Sequence, residues 1–211
     1  MIIINIYKLL KKLLISHYKM QDDVDNLQFA QNLEHLEAEL FLGGGLGYGL
    51  DKHLVSPLDP PFYPYRDSLS YMVGSYTVPY VGLNGYTGSN PFLCVYLAKR
   101  LAAGLLSPES GQDRIVRGYL FGRADQIVKP YNYTVARFTT RISNLRNRLG
   151  MCGIKDEGLV AMSCPWAFNS FSYPRSPEEI LRISYGTGNE HVPSGFFPQG
   201  GKWKNCKKIS K

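Results

Sequence analysis

The sequence holds little that binds metal through nitrogen or sulfur: four histidines and four cysteines among 211 residues. The cysteines are Cys94, Cys152, Cys164 and Cys206, and no two lie two to four residues apart, which excludes zinc-knuckle spacing. They are sparse for a disulfide scaffold, so small buried thiols are expected, with a Cys152–Cys164 bridge open only to an oxidising compartment. The histidines are His17, His35, His53 and His191, and none follows a glutamate at the Glu-x-x-His spacing. No serine or cysteine triad has a local signature. Gly43, Gly44, Gly45 and Gly47 follow a helical pattern rather than a strand, so they make neither a dinucleotide fingerprint nor a phosphate loop. No apolar run approaches the roughly 18–20 residues of a membrane-spanning helix.

Charge of one sign is scarce in the body of the chain, although the net charge is +7. Residues 1–20 carry Lys8, Lys11, Lys12 and Lys19 and no acid, and residues 202–211 carry Lys202, Lys204, Lys207, Lys208 and Lys211. Removing those nine from 24 basic residues leaves 15 against 17 acids. The body has no basic stripe interleaved with aromatics, which excludes a folded nucleic-acid surface. The first twenty residues put Ile4, Leu9, Leu10, Leu13 and Leu14 roughly on one face, a basic amphipathic pattern suited to weak membrane-surface contact. The order of charge and apolar residues is wrong for a signal peptide, and no Ala-x-Ala follows.

What the chain has is helical periodicity broken by glycine and proline. Leu27, Phe29, Ala30, Leu33, Leu36, Leu40 and Phe41 fill one arc, predicting a helix over about 25–42 with Asp25 and Gln28 as a capping box and Gly43–Gly45 as its stop. Four prolines between Ser56 and Tyr65 predict an extended linker. Leu69 to Leu83 has helical spacing with a kink expected near Pro79. A further helix opens at Asn90-Pro91, breaks or kinks at Pro108, and resumes its stripe through Val116, Leu120 and Ile127. Thr134–Leu149 is helical with Arg137, Arg141, Arg146 and Arg148 mostly outward and Gly150 as its cap. Residues 151–175 read as an irregular loop, and Ser176-Pro177-Glu178-Glu179 starts a short helix that stops at Gly186. Three regions follow: a basic segment at 1–21, a helical bundle at 22–150, and a loop, short helix and basic tail at 151–211.

Two places on these helices could carry chemistry. With Leu33 at zero, Glu37 lies about 40° round the first helix, inside the apolar arc, and Glu34 about 100°, at its edge. A carboxylate among apolar residues needs a cationic partner or a metal. Glu109 and Gln112 lie on the stripe of the later helix, in a Glu-x-x-Gln spacing. Glu109 reads equally as a first-turn acid facing a helix dipole, because Ser107-Pro108-Glu109 repeats the grammar of Ser176-Pro177-Glu178.

Several stretches resemble the plant desiccation-related proteins of the ferritin-like superfamily. They include DNLQFAQNLEHLEAELF at Asp25–Phe41, GLGYGLDK at Gly45–Lys52, VPYVGLNGYTG at Val78–Gly88, KRLAAGLLSPESGQD at Lys99–Asp113, Thr134–Gly150, GIKDEGLV at Gly153–Val160 and PEEILRISYGTGNEHVP at Pro177–Pro193. The resemblance covers roughly residues 22–200 and implies an all-α, ferritin-like bundle, a link to drying or related stress, and secretion. It also implies an extra helix with a Glu-x-x-His after Lys52, where this chain runs into its proline-rich linker. Carried over residue by residue, the di-metal site keeps Glu34 (with Glu37 as fallback) and Glu109-x-x-Gln112, while the remaining lone glutamate falls at Pro79. The expectation is therefore a truncated bundle with an irregular C-terminal region and a vestigial metal site. Such a chain would be a non-enzymatic, stress-related protein without a resident cofactor, holding at most one iron or manganese ion weakly on Glu34, Glu37, Glu109 and Gln112. A missing helix also predicts exposed apolar surface and self-association.

Overall fold

A computed structural model describes residues 21–46, 58–159 and 172–200. The basic segment at 1–20, His53, Cys164, Cys206 and the lysine tail lie outside the described residues. Within them the chain is helical: α1 (Gln21–Leu46), α2 (Ser68–Ser75), α3 (Pro79–Ser89), a 3₁₀ turn (Asn90–Phe92), α4 (Tyr96–Phe121), α5 (Val135–Gly150) and α6 (Pro177–Tyr185). A two-residue antiparallel ladder joins β1 (Ile127–Val128) to β2 (Tyr133–Thr134), with Ile127 opposite Thr134. No described helix is long and apolar enough to cross a membrane.

The breaks differ from expectation in instructive ways. α1 begins at Gln21, so Asp25 is a buried residue inside the helix rather than its cap. The capping carboxylate is Asp23, and it serves another helix: it accepts the backbone N–H of Cys94 at 3.0 Å and of Val95 at 2.7 Å. Those amides lead into α4, whose own first cap, Val95, offers no side-chain bond. α1 also runs through Gly43–Gly45, since glycine costs a helix only about 1 kcal/mol each relative to alanine. Pro79 starts α3 as its first residue instead of kinking one long helix, because a missing N–H is harmless there. Pro108, by contrast, sits inside an unbroken α4. The carbonyl it leaves unpaired belongs to exposed Gly104, where water can reach it. The stripe expected to reach Ile127 ends with the helix at Phe121, and Ile127 is exposed.

α5 is capped by Thr134, whose hydroxyl accepts from the Arg137 amide at 3.2 Å. Its left-handed C-terminal residue is Met151 (φ 67°), not Gly150. A Cβ on Gly150 would lie 2.5 Å from Nη1 at the end of the buried Arg175 side chain, which would have to shift. α6 has the expected capping box between Ser176 and Glu179 and ends at left-handed Gly186. Cys94 and Cys152 are exposed free thiols, correcting the expectation of burial for both.

α4 organises the interior. Its inward stripe reads Ala98, Ala102, Leu105, Glu109, Asp113, Val116, Leu120. The first three pack with Val24, Leu27 and Ala30 of α1 and Tyr86 of α3. The last two pack with Val73 of α2, Tyr76 just after it, and Val135 and Phe138 of α5. Glu109 and Asp113 therefore occupy a polar interval between two apolar clusters.

A buried ion network fills the far side of that interval. Arg146, expected outward, is 4% exposed and pairs through Nε with Asp156, itself 2% exposed. Arg117 bonds Asp113 at 2.7 Å, reaches Asp156 at 3.6 Å, and lies over the rings of Tyr76 and Tyr80. Ser143 donates to Asp156 at 3.0 Å. The partner that draws Arg146 inward comes from the aperiodic segment after α5, where no helical pattern announces it.

Candidate metal centre

Beyond Ala30 the buried positions of α1 include two acids, Glu34 and Glu37, one turn apart, beside Leu36 and Leu40. α4 crosses there with Glu109. The three carboxylates are buried and offer oxygens that all lie within 4.8 Å of one another. The structure thus brings together both first-helix candidates and the α4 glutamate. Glu109 is the second of two turns past Leu101 on a continuous helix, which overturns the reading of it as a first-turn acid.

Gln112 is half-buried one turn further along α4, and its Oε1 is buried without a hydrogen-bond partner among the described residues. His35 is exposed, as expected. Glu190 pairs with Arg182 at 2.6 Å, beside His191.

The electrostatics describe a site short of positive charge. Burial, then repulsion from Glu34, pushes the Glu37 carboxyl up to about 8. Burial, then Glu37, Glu34 and Asp113, pushes Glu109 up to about 10. Glu34 is also raised by burial, opposed by a hydrogen bond from Tyr86 and by His35. Oε1 of Glu37 and Oε2 of Glu109 are buried and unbonded among the described residues. Native interiors rarely leave such oxygens unpaired, and clustered anions in low dielectric repel strongly. A divalent cation would satisfy both deficits, and an all-oxygen donor set suits manganese, ferrous iron or magnesium.

Two residues that shape the site were not singled out from the sequence. Tyr86 on α3 donates its hydroxyl to Oε1 of Glu34 at 2.7 Å, and burial with that carboxylate keeps the phenol protonated, far above its ordinary range. Gly82, one turn before it on the same face, provides the space for Glu109: a Cβ there would lie 1.9 Å from Oε1. Their spacing of four was the available signal. α3 contributes no carboxylate, so the position where a lone glutamate was expected, Pro79, holds none.

The ferritin-like domain family matches residues 54–122. The ferritin-like catalase Nec2 of Nesocodon mauritianus is 40% identical over 266 residues, covering 89% of this chain and 86% of that protein. That alignment is longer than the 211 residues of the whole chain, so the relative carries residues with no counterpart here. The desiccation-related protein PCC13-62 of Craterostigma plantagineum is 41% identical over 162 residues, 71% of this chain and 52% of that protein. No solved structure matches. The catalase relative corrects the expectation of a non-enzyme, since most of its length is shared. The chain belongs to the plant desiccation-related, ferritin-like family and has the all-α ferritin-like fold.

Proposed function

We propose that this stress-related, ferritin-like protein disproportionates hydrogen peroxide with one divalent manganese or iron ion gripped by Glu34, Glu37 and Glu109. The observation that carries this reading is the convergence of three buried carboxylates with two unbonded oxygens. The relationship to a ferritin-like catalase supports the choice of reaction. A bound ion would supply a two-electron couple, so that one peroxide gives up two electrons and two protons to become dioxygen and the other takes them up to become two waters.

The protein's own share is binding and proton handling. Tyr86 holds Oε1 of Glu34, which orients that carboxylate and leaves its other oxygen toward an ion. The oxidised peroxide gives up two protons and the reduced one takes up two. Carboxylate oxygens at the site are the groups able to hold protons between those events. Asp113 lies one turn beyond Glu109, with Oδ2 on Arg117 and Oδ1 buried and unbonded among the described residues. The donor count favours a single ion: three carboxylates and one amide oxygen fall short of the four carboxylates and two imidazoles of a bridged pair.

The test is dioxygen evolution from peroxide by protein loaded with Mn²⁺ or Fe²⁺, beside the variants Glu37→Gln and Glu109→Gln. The loaded protein should evolve dioxygen, and each variant should lose at least about tenfold of the rate. No evolution by the loaded protein, or equal rates in the variants, would refute the reading.

A further inference from the structure

α4 buries one side and leaves the other bare. Its inward stripe from Ala98 to Leu120 faces the bundle. On the opposite side, at 3.6 residues per turn, Tyr96, Arg100, Ser107, Gly111, Arg114 and Phe121 lie within about 80° of one another. All six are exposed. With 26 residues the helix presents this face over about 39 Å.

The face is cationic and apolar. Both acids of α4, Glu109 and Asp113, are buried. Its exposed charges are Lys99, Arg100 and Arg114, and none of the three joins an ion pair among the described residues. The nearest exposed acid along the chain, Asp125, lies past the end of the helix. Large apolar side chains stand at both ends: Phe92 (80% exposed) and Tyr96 (73%) at one, Ile115 (70%) and Phe121 (62%) at the other. Between the ends the side chains are small, and a Cβ added at Gly104, Gly111 or Gly118 would meet nothing within 4 Å.

Exposed apolar residues among charges of one sign mark a contact surface, and the charge selects its occupant. A second copy would set cation against cation in any register. A soluble polyanion would satisfy the cations and leave Ile115 and Phe121 in water. A bilayer with anionic headgroups is planar, acidic at its surface and apolar beneath. We propose that the outer face of α4 docks this protein on a membrane surface rich in anionic lipid. Phe92, Tyr96, Ile115 and Phe121 enter the headgroup layer, and Lys99, Arg100 and Arg114 lie at the phosphates. The helix rests on the bilayer without crossing it. Residues 1–20, with four lysines and no acid, join the chain at Gln21, beside the Asp23 that holds the Cys94 and Val95 amides at the start of α4. Their charge adds to the attraction at that end.

Co-sedimentation of the full chain with vesicles tests this, using phosphatidylcholine alone and with phosphatidylserine added. Binding should require phosphatidylserine and weaken as salt rises. The double variant Arg100→Glu, Arg114→Glu should bind about thirtyfold more weakly or worse, and Phe121→Ser about tenfold more weakly. All three positions are exposed, so circular dichroism should stay unchanged. Equal binding to neutral vesicles would overturn the proposal, as would undiminished binding by either variant while removal of residues 1–20 abolishes it. So would polyglutamate bound as tightly as the vesicles, since charge alone would then suffice, or a dimer that Phe121→Ser dissociates, since a second copy would then be the occupant. The carboxylate centre takes no part, so neither result bears on it.

Discussion

Glu109 concentrates the account at the scale of single residues. In an unfolded chain it and Glu37 titrate near 4.5, whereas in the fold they sit near 10 and 8. Between those values the folded protein holds protons that the unfolded chain has released. Stability of the metal-free protein therefore declines as pH rises from about 4.5 toward 10. A bound cation displaces those protons and reverses the trend. Melting temperatures of metal-free protein should fall between pH 5 and pH 9, and excess Mn²⁺ should remove the fall. A metal-free melting temperature that stays level across that range would contradict the charge description. Helical angles alone put Glu37 inside the apolar arc of the first helix and Glu34 at its edge, and both are buried. Glu109 was legible only in part: Pro108 beside it made a helix start as credible as a helix interior. Arg146 was misjudged, because its partner Asp156 lies in a segment without periodicity.

At the scale of elements, α3 shows how two glycines on one helix do different work. A Cβ on Gly82 would meet the end of the flexible Glu109 side chain, at 1.9 Å. A Cβ on Gly88 would meet backbone, the Arg175 carbonyl oxygen at 2.1 Å. Gly82→Ala should therefore fold, aided by up to about 1 kcal/mol of helix propensity, yet lose retained metal as Glu109 is pushed aside. Gly88→Ala should cost roughly 1–3 kcal/mol because Arg175 cannot yield without moving the chain that Asn84 anchors through the Tyr173 carbonyl. Thermal melts with metal analysis separate the two: each kcal/mol shifts the midpoint by about 2–4 °C in a chain of this size. A Gly82→Ala protein that keeps its metal would show that the crossing of α3 and α4 does not set the site. The helices α4, α5 and α6 were readable beforehand as elements. The continuation of α1 through three glycines and of α4 through Pro108 was not, since local helix breakers were outvoted by packing on either side.

For the molecule as a whole, the carboxylates and the buried ion network divide one polar interval between two apolar clusters. The network is a structural commitment. Asp156→Ala would leave Arg146 buried without its carboxylate and Arg117 short of one, a loss of roughly 3–5 kcal/mol by denaturant unfolding. A loss under about 1 kcal/mol would mean that the network contributes little. The fold class and family were legible because the matching stretches run in order along the chain. The enzymatic nature of a relative was not, since donor counting on a linear sequence treated Glu34 and Glu37 as alternatives when the helix presents both.

The most direct measurement is elemental analysis after loading with Mn²⁺ and exhaustive dialysis, on the unaltered chain and on Glu109→Gln. About one ion per chain, falling to near zero in the variant, is the predicted result. No retained ion in the unaltered chain, or the same content in both, would contradict the claim that three buried carboxylates form a metal centre.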